Sequence, residues 1–316
     1  MITYEVVFLR NTNQLKYAMG VNLHSKHNAL WIYYEREPRV FIIKNMIEAV
    51  LVETDYAVQK QKLNELFLRL VDIVGLNESH QRQEFGLSGL LLPTQNAAEC
   101  LIGVERTSAY WRAVLKAVAL QKSLKKGRVK VIYPGCGPFA SLLLPLLVGL
   151  GGEDLEITLI DINPKSTNYL NNLLQILDIV PSKVEIYHKN ILEFETEDCF
   201  DIMISECMLP SLQHEGQVAI TRHLVQYLAE PGILIPEQIE VGLQWVDMSS
   251  EIAFIEASRI PGQGITQEQL KLFRHHIVTL LSLGKDIRTR YELDSDCLKL
   301  ARVCLTNEAL DKPNLM

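Results

Sequence analysis

Val129-Lys-Val-Ile-Tyr-Pro-Gly-Cys-Gly-Pro-Phe-Ala-Ser141 is the stretch around which the rest of the chain is arranged. Val129 to Ile132 predict a strand, Gly135 and Gly137 a turn without Cβ atoms, and the apolar run from Ala140 to Leu150 a helix. A strand, a glycine turn and a helix together make a nucleotide-type site. Glycines let the backbone approach a ligand, and the turn is expected to aim free N–H groups into the crevice at the carboxyl end of the strand. Leu155 to Ile160 predicts a second strand that ends on Asp161, where a doubly wound sheet puts a carboxylate that accepts ribose hydroxyls. The Gly-x-Gly-Pro pattern lacks the last glycine of a dinucleotide fingerprint, so a pyrophosphate has no seat and NAD is disfavoured.

Composition bounds the rest. A chain of 316 residues, 48% hydrophobic and 22% charged, is globular and long enough for a substantial core. A net charge of −7 disfavours a nucleic-acid partner, because phosphate neutralisation needs clustered Lys and Arg. No apolar run reaches the length of a membrane span and the N-terminus lacks a basic leader, so the expected location is cytoplasmic, with no membrane partner. The six cysteines form no Cys-x-x-Cys pair and no zinc spacing, so neither a disulfide framework nor a metal is expected. Before residue 95, Glu5 to Arg10 and Ala29 to Tyr34 predict short strands and Thr54 to Val74 a helix, while Arg39 to Val52 fits a strand or a helix.

From Gln95 to Lys122 the pattern is helical, with Arg106, Tyr110 and Ala113 on one face. Such a helix ahead of the first strand is either an ordinary packed helix or a lid over a ligand, with Arg106 as a fork for a carboxylate. Ser166 to Leu177 predicts a helix and Val184 to His188 a third strand. Asn190 then either meets an adenine amino group or caps its own loop. Phe200 to Ile204 is a buried strand that runs into Ser205-Glu-Cys-Met-Leu-Pro-Ser-Leu-Gln-His-Glu215. Glu206 and Glu215 thus flank a loop at the carboxyl end of a central strand. Converging carboxylates persist only around a cation or a shared proton, whereas diverging ones are merely solvated.

Gly135-Cys-Gly137 with Asp161 resembles motif I of the class I S-adenosylmethionine-dependent methyltransferases, with Tyr133 where an acidic residue is usual. Ser205-Glu-Cys-Met208 with Glu215 resembles the double-E loop of the protein arginine methyltransferases. Arg106-Thr107, Tyr110 and Ala113-Val114 are similar to that family's cofactor helix, and Tyr227 to Pro236 to the stretch that closes its core. The resemblance implies an α/β fold with a Rossmann-like class I methyltransferase sheet over 95–238, an N-terminal α+β accessory region over 1–94 and a short C-terminal substrate cover over 239–316. It implies S-adenosyl-L-methionine as cofactor, bound by Arg106, Tyr110, Gly135, Gly137, Asp161 and Asn190, with Glu206 and Glu215 catalytic and no metal. It implies N-methylation of a guanidino group, and it is compatible with a homodimer. The family's β-barrel and Thr-His-Trp loop find no match after residue 238, where Ile265 to Leu283 predicts a helix, so free arginine or another small guanidine is favoured over protein arginine. His275 and His276 are given no catalytic role. Two alternatives stand beside this reading. Gly-Cys-Gly-Pro-Phe also resembles nicotianamine synthase-like enzymes, which transfer an aminocarboxypropyl group. Tyr133 is compatible with a catalytically inactive interaction protein.

Overall fold

The computed structural model describes residues 3–11, 14–22, 29–34, 39–77, 84–86, 89–152, 154–179, 183–208, 212, 216–258, 265 and 267–287. Strands β1 (Thr3–Asn11), β2 (Gln14–Asn22) and β3 (Ala29–Tyr34) form an antiparallel sheet. Helix α1 (Arg39–Val52) resolves the strand-or-helix ambiguity: Ile43, Ile47 and Val50 are buried at helical spacing. Helix α2 (Tyr56–Val74) starts where the Asp55 carboxylate accepts the Val58 N–H at 2.9 Å and stops at Gly75, left-handed at φ 66°.

After the short pair β4 (Glu84–Gly86) and β5 (Gly89–Leu91), the helix expected over 95–122 is two. Helix α3 (Thr94–Glu99) passes through a 3-10 turn into extended Gly103, and α4 (Val104–Leu124) starts anew. Then follow β6 (Val129–Pro134), α5 (Leu144–Leu147), β7 (Leu155–Asp161), α6 (Pro164–Ile176), β8 (Val184–His188), β9 (Phe200–Ile204), α7 (Gln217–Leu224) and β10 (Leu228–Ile235). The helix expected over Ala140 to Leu150 is only the one turn of α5. Ala140 has a left-handed φ of 45°, Pro145 occupies the first turn, and Gly149 ends it at φ 86°.

Strands β10-β9-β6-β7-β8 form, in that order, one wholly parallel sheet. The chain winds outward from β6 in one direction through β7 and β8 and in the other through β9 and β10, which is the Rossmann-like α/β arrangement expected. Its switch point lies between β6 and β9, where such sheets open a crevice at their carboxyl ends. Alternation along the strands buries both faces. Val131, Tyr133, Leu159, Ile202 and Ile204 pack on one side with α4 and α6, and Ile132, Ile160, Met203 and Leu234 on the other with α7. Helices α1 and α2 join a further cluster with Trp111, Phe139 and Leu173, and the buried Trp111 donates its indole N–H to the Ser141 carbonyl at 2.8 Å.

Beyond the sheet lie β11 (Gln238–Val246), α8 (Met248–Ala257), α9 (Gln267–Leu270) and β12 (Arg274–Gly284). Strand β12 corrects the second half of the helix expected over Ile265 to Leu283, whose first half holds α9 and a 3-10 turn over Lys271–Phe273. The strand pairs antiparallel with β11 across two register shifts, and the β-branched Val278 and Thr279 suit that pairing better than a helix.

Candidate active site

At the switch point the carboxyl ends of β6, β7 and β9 open a cleft that is partly open to solvent. Gly135, Asp161, Asn190, Glu206, Cys207 and Gly216 are among its lining. Asp161, the last residue of β7, is only 8% exposed. One of its oxygens accepts the Gly137 N–H at 2.7 Å and the other the Asn163 N–H at 2.8 Å. A carboxylate has about four acceptor positions, so two bonds leave room for a ligand's diol. Burial raises its pKa above the usual carboxylate value, and the two N–H donors hold part of that rise back.

The glycine turn works differently from expectation. Its amides are tied inward, Cys136 N–H to the Ile160 carbonyl at 3.3 Å and Gly137 N–H to Asp161, and so fasten β6 to β7. The absence of side chains remains decisive at Gly135, whose φ is 62° and where a Cβ would stand 2.6 Å from Cys207 Sγ. Asn190 lines the cleft, and its side-chain oxygen caps the following turn by accepting the Leu192 N–H at 3.1 Å.

Glu206 leaves the end of β9 with its side chain 16% exposed and its Oε2 2.7 Å from Nη2 of Arg106. Nη1 of Arg106 donates to the Cys100 carbonyl at 3.0 Å. Its Nε is the buried side-chain nitrogen without a hydrogen-bond partner among the described residues. Burial is the largest single influence and works against the Arg106 charge, but the Glu206 carboxylate, together with Tyr133 and Cys100, leaves the guanidinium harder to deprotonate than usual. Tyr133 and Tyr110 lie in the same field. Burial first, then Glu206, pushes both phenols well above their usual range, so both are neutral at physiological pH. Tyr133, in place of an acidic residue, thus adds no charge beside Arg106.

Not every candidate meets in the cleft. Tyr110 and Ala113 line a second groove between α4 and the end of β10, whereas Leu91, Leu92 and Ala97 are the residues ahead of α4 that line the cleft itself. Glu215 lies outside the described residues. Gly216, which follows it, lines the same cleft as Glu206. The pairing of Arg106 with Glu206 joins two separated motifs and was not legible in the chain. Gln217, 1% exposed with its amide bonded to Ser205, Cys207 and Thr221, was also missed, since a polar residue opening a helix carries no distinctive signal. No group of three or more metal-ligating side chains occurs among the described residues, and no described helix is long and apolar enough to cross a membrane.

No protein-family profile matches the chain, and no curated protein matches it in sequence. Solved structures do. The Trypanosoma brucei PRMT1 enzyme-prozyme heterotetrameric complex with AdoHcy is similar at 15% identity and a TM-score of 0.39, over 60% of this chain and 61% of that one. Arabidopsis thaliana protein arginine methyltransferase 10 is similar at 14% identity and a TM-score of 0.37, over 52% and 47%. StiE O-MT is similar at 17% identity and a TM-score of 0.31, over 44% and 45%, so the chain spans less than half of that relative's length. Identities of this size say nothing about substrate, and the fold rests on the strand order and pairing given above.

Proposed function

We propose that this chain is an S-adenosyl-L-methionine-dependent N-methyltransferase acting on a guanidino group, with free arginine or a related small guanidine favoured over protein arginine. The observation that carries the reading is the Glu206 carboxylate. It sits mostly buried at the switch point, in the cleft that Asp161 and Gly135 also line, and is paired with Arg106. The residues present fit the cofactor: Asp161 has acceptor capacity for a ribose diol, Gly135 leaves room for close approach, and the buried Arg106 Nε calls for an acceptor.

When bound, S-adenosyl-L-methionine supplies an electrophilic methyl group on a sulfonium. Asp161 would hold the ribose, and Arg106 would meet a carboxylate. Two cations, sulfonium and guanidinium, repel one another in a site of low dielectric unless anions offset them. Arg106 already balances one negative charge on Glu206, so a second anion is needed, and Glu215 is the residue that would provide it. Together the glutamates would fork the guanidinium, align one nitrogen with the methyl and draw positive charge toward the other nitrogens. A guanidinium has a pKa above ~12, so no base removes its proton first; a glutamate receives it with or after transfer. The sequence holds no Thr-His-Trp, and among the described residues after the parallel sheet the paired strands are β11 and β12, a pattern that supports a small acceptor.

Incubation with methyl-labelled S-adenosylmethionine against free arginine, agmatine and arginine peptides tests this. Label in a guanidine, with the free amino acid or amine ahead of the peptides, is expected. A product carrying an aminocarboxypropyl group, or cofactor binding without transfer to any guanidine, would overturn it.

A further inference from the structure

We infer that Gln217 is the positioning residue for Glu206, a role that rests on reading Glu206 as the guanidinium-binding carboxylate. Strand β9 pairs with β10 only as far as Ile204 with Ile235, and the Ser205 N–H to the Ile235 carbonyl, at 2.9 Å, is the last rung. Glu206 begins where that ladder ends. From there the Gln217 side-chain amide takes the place of a neighbouring strand. Its Oε1 accepts the Cys207 N–H at 2.7 Å, and its Nε2 donates to the Ser205 carbonyl at 3.0 Å. Those two backbone groups belong to the two peptide units on either side of the Glu206 Cα, so one amide holds both peptide planes that aim the carboxylate.

The amide is itself fixed. Nε2 also faces Ser205 Oγ and Thr221 Oγ1, each at 3.1 Å, which leaves one orientation that satisfies donors and acceptors together. Ser205, Gln217 and Thr221 are at most 1% exposed, so water cannot replace a lost bond. Gln217 opens α7 directly after Gly216, on the far side of the loop that carries Glu215. It therefore ties the two ends of that loop together at the mouth of the cleft.

The test uses the full chain with Gln217→Leu and Gln217→Glu. In Gln217→Leu, hydrogen exchange at the Cys207 amide should quicken by about tenfold, the factor an ordinary hydrogen bond supplies. Its kcat for free arginine should fall by about 100-fold, as for a displaced catalytic group. Affinity for S-adenosylhomocysteine should stay at the wild-type level, because the Gln217 hydrogen bonds go to Ser205, Cys207 and Thr221 rather than to the residues proposed to hold the cofactor. Gln217→Glu turns an oxygen toward the Ser205 carbonyl. Its activity relative to wild type should recover as pH falls and the new carboxyl regains a proton to donate, a recovery that Gln217→Leu cannot show. Wild-type kcat in a folded Gln217→Leu, or a flat pH ratio in Gln217→Glu, would overturn the role. Should the wild type methylate no guanidine, the proposed function fails, and Cys207 exchange still decides: unchanged protection in Gln217→Leu overturns the positioning role as well.

Discussion

At Asp161 the folding equilibrium and the proposed cofactor binding would be linked through one carboxylate. Burial raises its pKa above 3.8, and the N–H groups of Asn163 and Gly137 pull it partly back. An unfolded chain ionises near 3.8 while the folded one keeps its proton to higher pH, so between the two values stability declines as pH rises. Ribose hydroxyls donate to the ionised form and therefore favour it. Cofactor affinity should then hold through neutral pH and fall on acidification, starting above the range of an ordinary aspartate, and calorimetry across pH reads this directly. Asp161→Ala should cost at most about 1.5–3 kcal/mol of binding per charge-assisted bond lost and remove the pH dependence. At Arg106, truncation to Ala should weaken S-adenosylmethionine more than methylthioadenosine, which has no carboxylate. Equal losses in a parallel titration would take Arg106 out of the cofactor site.

Among elements, those spelled by local pattern were legible: β6, β7, β8 and β9, the cap-bounded α2, and the positions of Asp161 and Glu206 at strand ends. Elements decided by backbone exceptions or distant partners were not. The 3-10 turn at Cys100–Ile102 divides one apparent helix, Ala140 takes a left-handed conformation inside another, and β12 exists because β11 pairs with it. The glycine turn belongs to both groups, since its glycines were read but the inward direction of its amides depends on Asp161. Gly135→Ala forces a Cβ toward Cys207 Sγ in a left-handed conformation that costs roughly 1–2 kcal/mol by itself. Thermal unfolding should show a lower Tm and calorimetry weaker cofactor binding. Adding Cys207→Ala should restore the steric part and leave the conformational part. An unchanged Tm in Gly135→Ala would mean that this turn does not demand a glycine.

Across the whole molecule, one parallel sheet brings together groups far apart in sequence. Arg106 from α4, Asp161 from β7 and Glu206 from β9 reach the same switch point because β6 lies between β7 and β9. The charge arrangement there underlies the proposed chemistry. Arg106 and Glu206 form an ion pair there, and in the proposed function Glu215 supplies the further negative charge for a guanidinium beside a sulfonium. In the proposed clamp of two glutamates neither jaw works without the other, so Glu206→Gln and Glu215→Gln should each disable turnover, and the double variant should be scarcely worse than the poorer single one. The most direct measurement is methyl transfer to free arginine by Glu206→Gln, set beside its calorimetric affinity for S-adenosylmethionine. The account predicts collapsed transfer with cofactor affinity little changed, and near-normal transfer by Glu206→Gln would contradict it.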